Sequence, residues 1–291
     1  MLILISDPFY PGLEEELSLL GDVSTDRLAF TEADIILVRS ETKADKSYLE
    51  KAKNLKLIIR GGVGIDNIDI ETADRLGIQV HNTPNASSIA VAEMAMTLIL
   101  SLTNHIVKAD TTMHNKEWLK KHLKRTELFG KTLGIIGYGR IGNEVARRAN
   151  AFGMKIIGYH YRDVQSEFGE VTTELKKVLN QSDYVSLHLP LNDNTKNFIN
   201  ETTLMNCKST AYIINTGRGG TVDEYALAQA LKNGDIAGYS SDVWSQSPPV
   251  DSPLMDAPNV IMTPHLGAST KECMFRIGHE IVQIIKNFIG N

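Results

Sequence analysis

Residues 131–142 read K-T-L-G-I-I-G-Y-G-R-I-G, and this stretch decides the fold. The apolar run 133–136 predicts a buried parallel strand. It breaks into Gly137-Tyr138-Gly139-Arg140-Ile141-Gly142, after which Val145, Ala146 and Ala149 set a helical rhythm. In a strand–G-x-G-x-x-G–helix unit the first glycine permits the tight turn. The second lets the backbone approach a pyrophosphate, and the third lets the helix pack on the strand. The helix start then offers N–H groups and a positive dipole end to the phosphates. Gly137, Gly139, Arg140, Ile141 and Gly142 are therefore candidate dinucleotide contacts. The bland alternative is a glycine-rich turn that binds nothing, with Tyr138 as exposed packing.

The α/β rhythm continues on both sides. Downstream, strands are expected at 156–159, 184–187, 211–215, 236–240 and 260–262, with helices near 174–179, 202–207 and 223–232. Six strands in this rhythm predict a doubly wound sheet of dinucleotide-binding type. Upstream, strands at 2–5, 35–38, 57–59 and 78–80 alternate with helices at 12–20, 46–52 and 67–76, a second and smaller α/β unit. Between the units, 86–102 is one long apolar helix pattern, with Asn85 or Ser87 as its cap. Its apolar faces are too broad for a free surface helix, so it is expected between domains or in a subunit interface. Residues 104–131 are polar and basic and predict a solvated face. A last helix at 271–288 has no strand of its own and is expected to fold back onto the first unit.

The totals narrow the classes. A chain of 291 residues with 42% hydrophobic and 22% charged residues has room for two domains with real cores. A net charge of −5 argues against nucleic acid or an anionic membrane as the main partner. The opening run M-L-I-L-I-S is short and lacks a basic flank, so it is read as a strand, not a leader. Cys207 and Cys273 have no metal-ligand spacing and no metal site is expected; free thiols in a cytoplasmic protein account for them.

Ligands of open α/β sheets sit beyond the carboxyl ends of the strands. Three such ends carry reactive side chains. After 211–215 comes Thr216-Gly217-Arg218-Gly219-Gly220, a guanidinium between glycines that suits a planar anion. After 236–240 comes Asp242-Val243-Trp244. After 260–262 comes Thr263-Pro264-His265-Leu266-Gly267, where an imidazole could exchange a proton near neutral pH. An arginine for a carboxylate, a histidine for a proton and a dinucleotide for a hydride together suggest interconversion of a 2-hydroxy acid and a 2-keto acid.

The chain resembles the D-isomer-specific 2-hydroxyacid dehydrogenases over essentially its full length. Within them it is most similar to the D-3-phosphoglycerate dehydrogenases, in a short form without a C-terminal regulatory domain. The likeness lies in V-R-S-E-T-K (38–43), R-G-G-V-G-I-D-N-I-D (60–69), H-N-T-P-N (81–85), G-K-T-L-G-I-I-G-Y-G-R-I-G (130–142), H-L-P-L (188–191), N-T-G-R-G-G-T-V-D-E (215–224), S-D-V-W (241–244) and P-H-L-G-A-S-T (264–270). It implies a Rossmann domain at 86–269 inserted into a flavodoxin-like substrate domain made of 1–85 and 270–291. It also implies NAD or NADP as cofactor and a homodimer formed partly through the 86–102 helix. By the resemblance Arg218 clamps the substrate carboxylate and carbonyl, and His265 is the general acid/base. Thr83, Arg140, Ile141, Thr216, Gly217, Asp242 and Gly267 contact the cofactor, with Asp242 facing the nicotinamide carboxamide. Arg39, Lys43 and Arg60, with Gly62 and Val63, would bind substrate, the cations taking a phosphate. Trp118 and Lys120, in the basic run, are candidates to reach a partner subunit's site.

Two positions depart from the family. Ser247 stands where the family has a glutamate that raises the pKa of the histidine, and serine supplies no charge to favour imidazolium. Glu224 and Asp251 are the carboxylates that could replace it in space. After the 156–159 strand, NAD-preferring members carry an acidic residue for the ribose hydroxyls. Here the run is His160-Tyr161-Arg162-Asp163, so Arg162 could attract a 2′-phosphate or Asp163 could do the acid's work, and both dinucleotides stay open. The expected activity is oxidation of 3-phospho-D-glycerate to 3-phosphohydroxypyruvate. The alternatives are a glyoxylate or hydroxypyruvate reductase and a weakly catalytic NAD(H)-sensing binding protein. His81 and His188 are expected to be structural, and Met94 and Met96 to be core.

Overall fold

A computed structural model describes residues 1–290. The chain divides into two compact units, residues 1–88 with 268–291 and residues 89–267.

The first unit opens with β1 (Leu2–Ile5), α1 (Leu13–Ser18), β2 (Asp22–Ser24), a 3-10 turn (Arg27–Thr31), β3 (Ile35–Val38), α2 (Lys46–Lys51), β4 (Leu57–Arg60), α3 (Ile70–Leu76) and β5 (Gln79–Asn82). All five strands are parallel, in the order β2-β1-β3-β4-β5. This is the flavodoxin-like order. β3 is buried along its whole length, which is why I-I-L-V reads as an unbroken apolar run. Helix starts follow short acidic caps: the carboxylates of Asp45 and Asp69 accept the N–H groups of Tyr48 and Thr72. β2 is short, lies at the sheet edge and has no buried residue, so its D-V-S sequence carries no strand signal.

The second unit begins with α4 (Ser88–Thr103) and α5 (Ile106–His114) and continues through β6 (Thr132–Ile136), α6 (Arg140–Ala151), β7 (Lys155–Tyr159), β8 (Gly169–Thr172), α7 (Leu175–Gln181), β9 (Tyr184–Leu187), α8 (Glu201–Leu204), β10 (Tyr212–Asn215), a 3-10 turn (Gly219–Thr221), α9 (Glu224–Asn233), β11 (Gly238–Ser241) and β12 (Val260–Met262). The seven strands are parallel, in the order β12-β11-β10-β9-β6-β7-β8. Read from β8, this is the doubly wound 3-2-1-4-5-6 order with one strand added, and it reverses direction between β6 and β9. The expected six strands thus become seven. β8, G-E-V-T, is an edge strand with no buried residue and no apolar run to announce it.

The long apolar helix is α4, on which Ala92, Ala95, Met96, Leu98 and Ile99 pack with Leu133, Ile135, Val145 and Tyr184 while Ile89 is exposed. The polar stretch after it holds a real helix, α5, with no buried residue. The C-terminal helix α10 (Lys271–Gly290) belongs to the first unit. It buries Cys273, Ile277, Ile281 and Ile285 and sets Phe275 edge-on to Tyr10, with ring centroids 5.5 Å apart. Gly278 lets Tyr10 lie flat on this helix, since a Cβ there would come within 2.1 Å of the ring.

Candidate active site

The glycine loop stands at the switch point of the large sheet. Gly137 has φ +92°, and a Cβ there would meet the His188 carbonyl oxygen at 2.7 Å. Gly142 fits the tight junction of α6 and β6: its Cβ would be 2.7 Å from the Gly137 oxygen and 3.0 Å from Ile135 Cγ2. A Cβ on Gly139 would meet nothing within 4 Å. The open side of the loop is therefore the side in front of the helix start. No side chain caps α6, so its leading N–H groups lack intrahelical acceptors and are available to an anion. The loop thus fits a dinucleotide pyrophosphate on its own geometry. Tyr138 is not exposed packing. It is 4% exposed, its ring fills the space a side chain on Gly158 would take, and its hydroxyl lies 2.6 Å from Ser166 Oγ.

At the end of β7, His160, Tyr161 and Arg162 stack on one another. The His160 and Tyr161 rings are 4.7 Å apart, and the Arg162 guanidinium carbon lies 4.7 Å from the Tyr161 centroid. His160 Nδ1 lies 3.1 Å from the Arg162 backbone nitrogen and 3.2 Å from the Arg162 carbonyl oxygen, which ties the ring to its own loop. No carboxylate takes part in this stack, and Asp163 is exposed beyond it.

Arg218 follows β10 on a loop fixed almost entirely through its backbone. Asn215 Nδ2 and Thr221 Oγ1 donate to the Arg218 carbonyl at 3.0 and 2.6 Å, and the Gly217 N–H donates to Asn215 Oδ1 at 3.0 Å. Gly219 presses against the next strand end, where a Cβ would come within 1.9 Å of the Trp244 carbonyl carbon. Thr216 Oγ1 lies 3.3 Å from His188 Nδ1, and Ser186 Oγ lies 2.9 Å from His188 Nε2. Desolvation pushes the His188 imidazole down to about 3, so it is a neutral structural group. His81, by contrast, is exposed on β5.

His265 is exposed, on a turn where its own φ is +59°. Asp242 holds that turn. Its carboxylate is 2% exposed and accepts Thr263 Oγ1 at 2.6 Å, the Leu266 N–H at 2.7 Å and the Gly267 N–H at 2.7 Å. Three of its four lone-pair positions are thus taken by residues flanking His265, a task beyond the carboxamide contact expected for it. Sequence spacing hid this role. Ser247 lies exposed in the loop after Trp244. Of the two carboxylates that could replace the family's glutamate, Glu224 is engaged elsewhere. Its Oε1 accepts the N–H and hydroxyl of Ser245 at 3.1 and 2.7 Å, and its Oε2 accepts the Ser252 hydroxyl at 2.5 Å. It anchors the loop that carries Ser247. Asp251 is exposed.

The first unit places the remaining candidates at its own strand ends. Arg39 follows β3, Lys43 is exposed four residues on, and Arg60 ends β4. The Arg60 guanidinium lies over Gly62, where φ is +146° and a Cβ would be 1.6 Å from Nη1. Asn82 Nδ2 donates to the Val63 carbonyl at 2.5 Å. Thr83 is fully buried, and its Oγ1 has no hydrogen-bond partner in the protein. A cavity of about 860 Å³ in this unit is lined by Tyr10, Arg39, Lys271, Glu272, Phe275 and Arg276, among others. Arg39 Nε is buried without a hydrogen-bond partner, and Nη1 donates to the Pro8 carbonyl at 3.2 Å. Among the described residues no group of three or more His, Cys, Asp and Glu could hold a metal ion. Both cysteines are free, and burial pushes the Cys207 thiol up to about 11.

Comparison with known proteins fits this geometry. The family model described as "D-isomer specific 2-hydroxyacid dehydrogenase, NAD binding domain" matches residues 96–267. A hydroxypyruvate reductase of Thermotoga maritima is 44% identical over 89% of this chain and 86% of its own length. A D-3-phosphoglycerate dehydrogenase of Methanocaldococcus jannaschii is 41% identical over 99% of this chain, which spans only 57% of that protein. Among solved structures, an acyclic imino acid reductase in complex with NADPH and D-Arg is similar at a TM-score of 0.92 and 28% identity, covering 100% of this chain and 97% of that one.

Proposed function

The chain belongs to the D-isomer-specific 2-hydroxyacid dehydrogenases, NAD-dependent oxidoreductases, and on that premise we propose that it oxidises 3-phospho-D-glycerate to 3-phosphohydroxypyruvate. Arg218 binds the substrate carboxylate and polarises the C2 oxygen, the task for which a guanidinium fork is suited. His265 takes the hydroxyl proton, and in the reverse direction returns it. The dinucleotide, held at the glycine loop, supplies the acceptor for the C2 hydride. Asp242 keeps the His265 turn in place.

The observation that carries the phosphate is the cationic lining of the cavity in the first unit. Arg39, Lys271 and Arg276 face it with one acid, Glu272, and Arg39 keeps a buried Nε without a partner. An unpaired buried guanidinium N–H is costly, and a phosphate oxygen satisfies it. A second substrate, hydroxypyruvate, is favoured by the likeness to the Thermotoga reductase, which is 44% identical over 89% of this chain. For the cofactor, the His160–Tyr161–Arg162 stack offers a cation and no carboxylate, which supports use of NADP beside NAD. Exposed Ile106, Val107 and Met113 on α5 support a homodimer through that helix.

The test is a steady-state panel of 3-phosphohydroxypyruvate, hydroxypyruvate, glyoxylate and pyruvate with NADH and with NADPH. The proposal expects the phosphorylated ketone to have the highest kcat/KM. A higher value for hydroxypyruvate assigns the chain to the reductases, and no turnover of any of them points to a binding protein.

A further inference from the structure

The loop that presents Arg39 and Lys43 is held by an unusual buried arrangement. Asp7, just past β1, has a side chain with 0% exposure. Its Oδ2 accepts the Arg39 N–H at 2.5 Å and the Thr42 N–H at 3.1 Å. Its Oδ1 accepts the Thr42 hydroxyl at 2.5 Å and lies 3.4 Å from Arg27 Nη2. From the other side, Asn67 Nδ2 donates to the carbonyls of Arg39 and Thr42 at 2.8 and 2.7 Å. Ser6 Oγ adds a contact to Thr42 Oγ1 at 2.9 Å. Both ends of the 39–42 segment are therefore gripped at N–H and at C=O by side chains from distant parts of the chain.

A surface loop ordinarily satisfies such groups with water, and a buried carboxylate is costly unless fully bonded. Closing this turn needs no buried charge. What the arrangement adds is rigidity at Arg39, which lines the cationic cavity of this unit. We infer that Asp7 and Asn67 are positioning residues that fix the Arg39–Lys43 loop for a phosphorylated substrate, an inference that rests on the proposed phosphate role of Arg39. A cation held at the right place before binding loses less freedom on complexation, so the effect falls on affinity for the phosphate.

The test compares KM for 3-phosphohydroxypyruvate with KM for hydroxypyruvate in wild type, Arg39→Gln, Thr42→Val, Thr42→Ser and Asn67→Ala, with melting temperatures as a folding control. Thr42→Val removes the hydroxyl's contacts with Asp7 and Ser6, Asn67→Ala removes the two bonds donated by Nδ2, and both keep the Asp7 carboxylate in place. Arg39→Gln is expected to raise the ratio of the two KM values about tenfold, as loss of a charge-assisted bond does. Thr42→Val and Asn67→Ala should raise it in the same sense by about threefold, and Thr42→Ser should restore it. If Arg39→Gln moves the ratio but Thr42→Val and Asn67→Ala do not, or if these two impair both ketones alike, the positioning role is wrong and the phosphate role of Arg39 stands. If Arg39→Gln leaves the ratio unchanged, or the phosphorylated ketone is not turned over, the substrate proposal itself fails and the positioning role falls with it.

Discussion

Arg218 and Arg39 stand at the ends of parallel strands in different sheets, and they are supported in opposite ways. The Arg218 loop is held by its neighbours: Asn215, Gly217, Gly219 and Thr221 all lie within three residues of it. The Arg39 loop is held by Asp7 and Asn67, 32 and 28 residues away. Local support uses glycines, because the backbone must come close to another strand end. Long-range support uses buried polar side chains, because a carboxylate and an amide can reach between elements. The first kind writes a motif into the sequence, and the second leaves only an unremarkable Asp and Asn.

This contrast can be broken experimentally, and the largest effect is expected at Arg218. Arg218→Gln should lower kcat/KM about 10²–10³-fold for every 2-keto acid tried, because it removes the group proposed to bind the reacting end. Arg39→Gln should discriminate between phosphorylated and unphosphorylated ketones. Equal behaviour of the two variants across substrates would erase the distinction. Next comes Gly219→Ala, whose new Cβ collides with the Trp244 carbonyl carbon at 1.9 Å and must displace the Arg218 loop. A displacement of about 1 Å in such a site costs about 10²-fold in rate, and single-turnover kinetics at saturating substrate would report it.

A smaller change is expected at position 247. Ser247 stands in the glutamate's place and carries no charge, so keto reduction should fall off at lower pH than in Ser247→Glu, whose carboxylate would favour the imidazolium. A pH–rate profile of the two proteins should show the alkaline limb of kcat/KM moving upward by about one unit in the variant. Superimposable profiles would show that position 247 does not act on His265. The smallest effect concerns stability, not rate. The folded chain withholds a proton from His188 down to about pH 3, whereas the unfolded chain takes one up near the ordinary value of 6.5. Stability is therefore fully present above that value and is lost as pH falls through this window. His188→Asn should flatten that part of the acid limb, measured as melting temperature against pH.

Much of the fold was legible, and the limits are physical. Buried strands such as β3 and β6 show as apolar runs because both faces are covered. Edge strands β2 and β8 do not, since none of their residues is buried. Helix α5 was hidden because it is short, none of its residues is buried, and its few apolar residues sit in a polar, basic stretch. Tyr138 was misjudged because its burial depends on Gly158, across the β6–β7 pair, and on Ser166. In the site, the glycine loop and Arg218 could be read directly from spacing. The grip of Asp242 on the His265 turn spans 24 and 25 residues, and that of Glu224 on the Ser247 loop spans 21 and 28. Neither leaves a local pattern.

The measurement closest to the centre of this account is the ratio of kcat/KM for 3-phosphohydroxypyruvate to that for hydroxypyruvate in the wild-type protein. The cations that line the cavity of the first unit, Arg39, Lys271 and Arg276, predict a preference of about tenfold or more for the phosphorylated ketone. A ratio at or below one would contradict it.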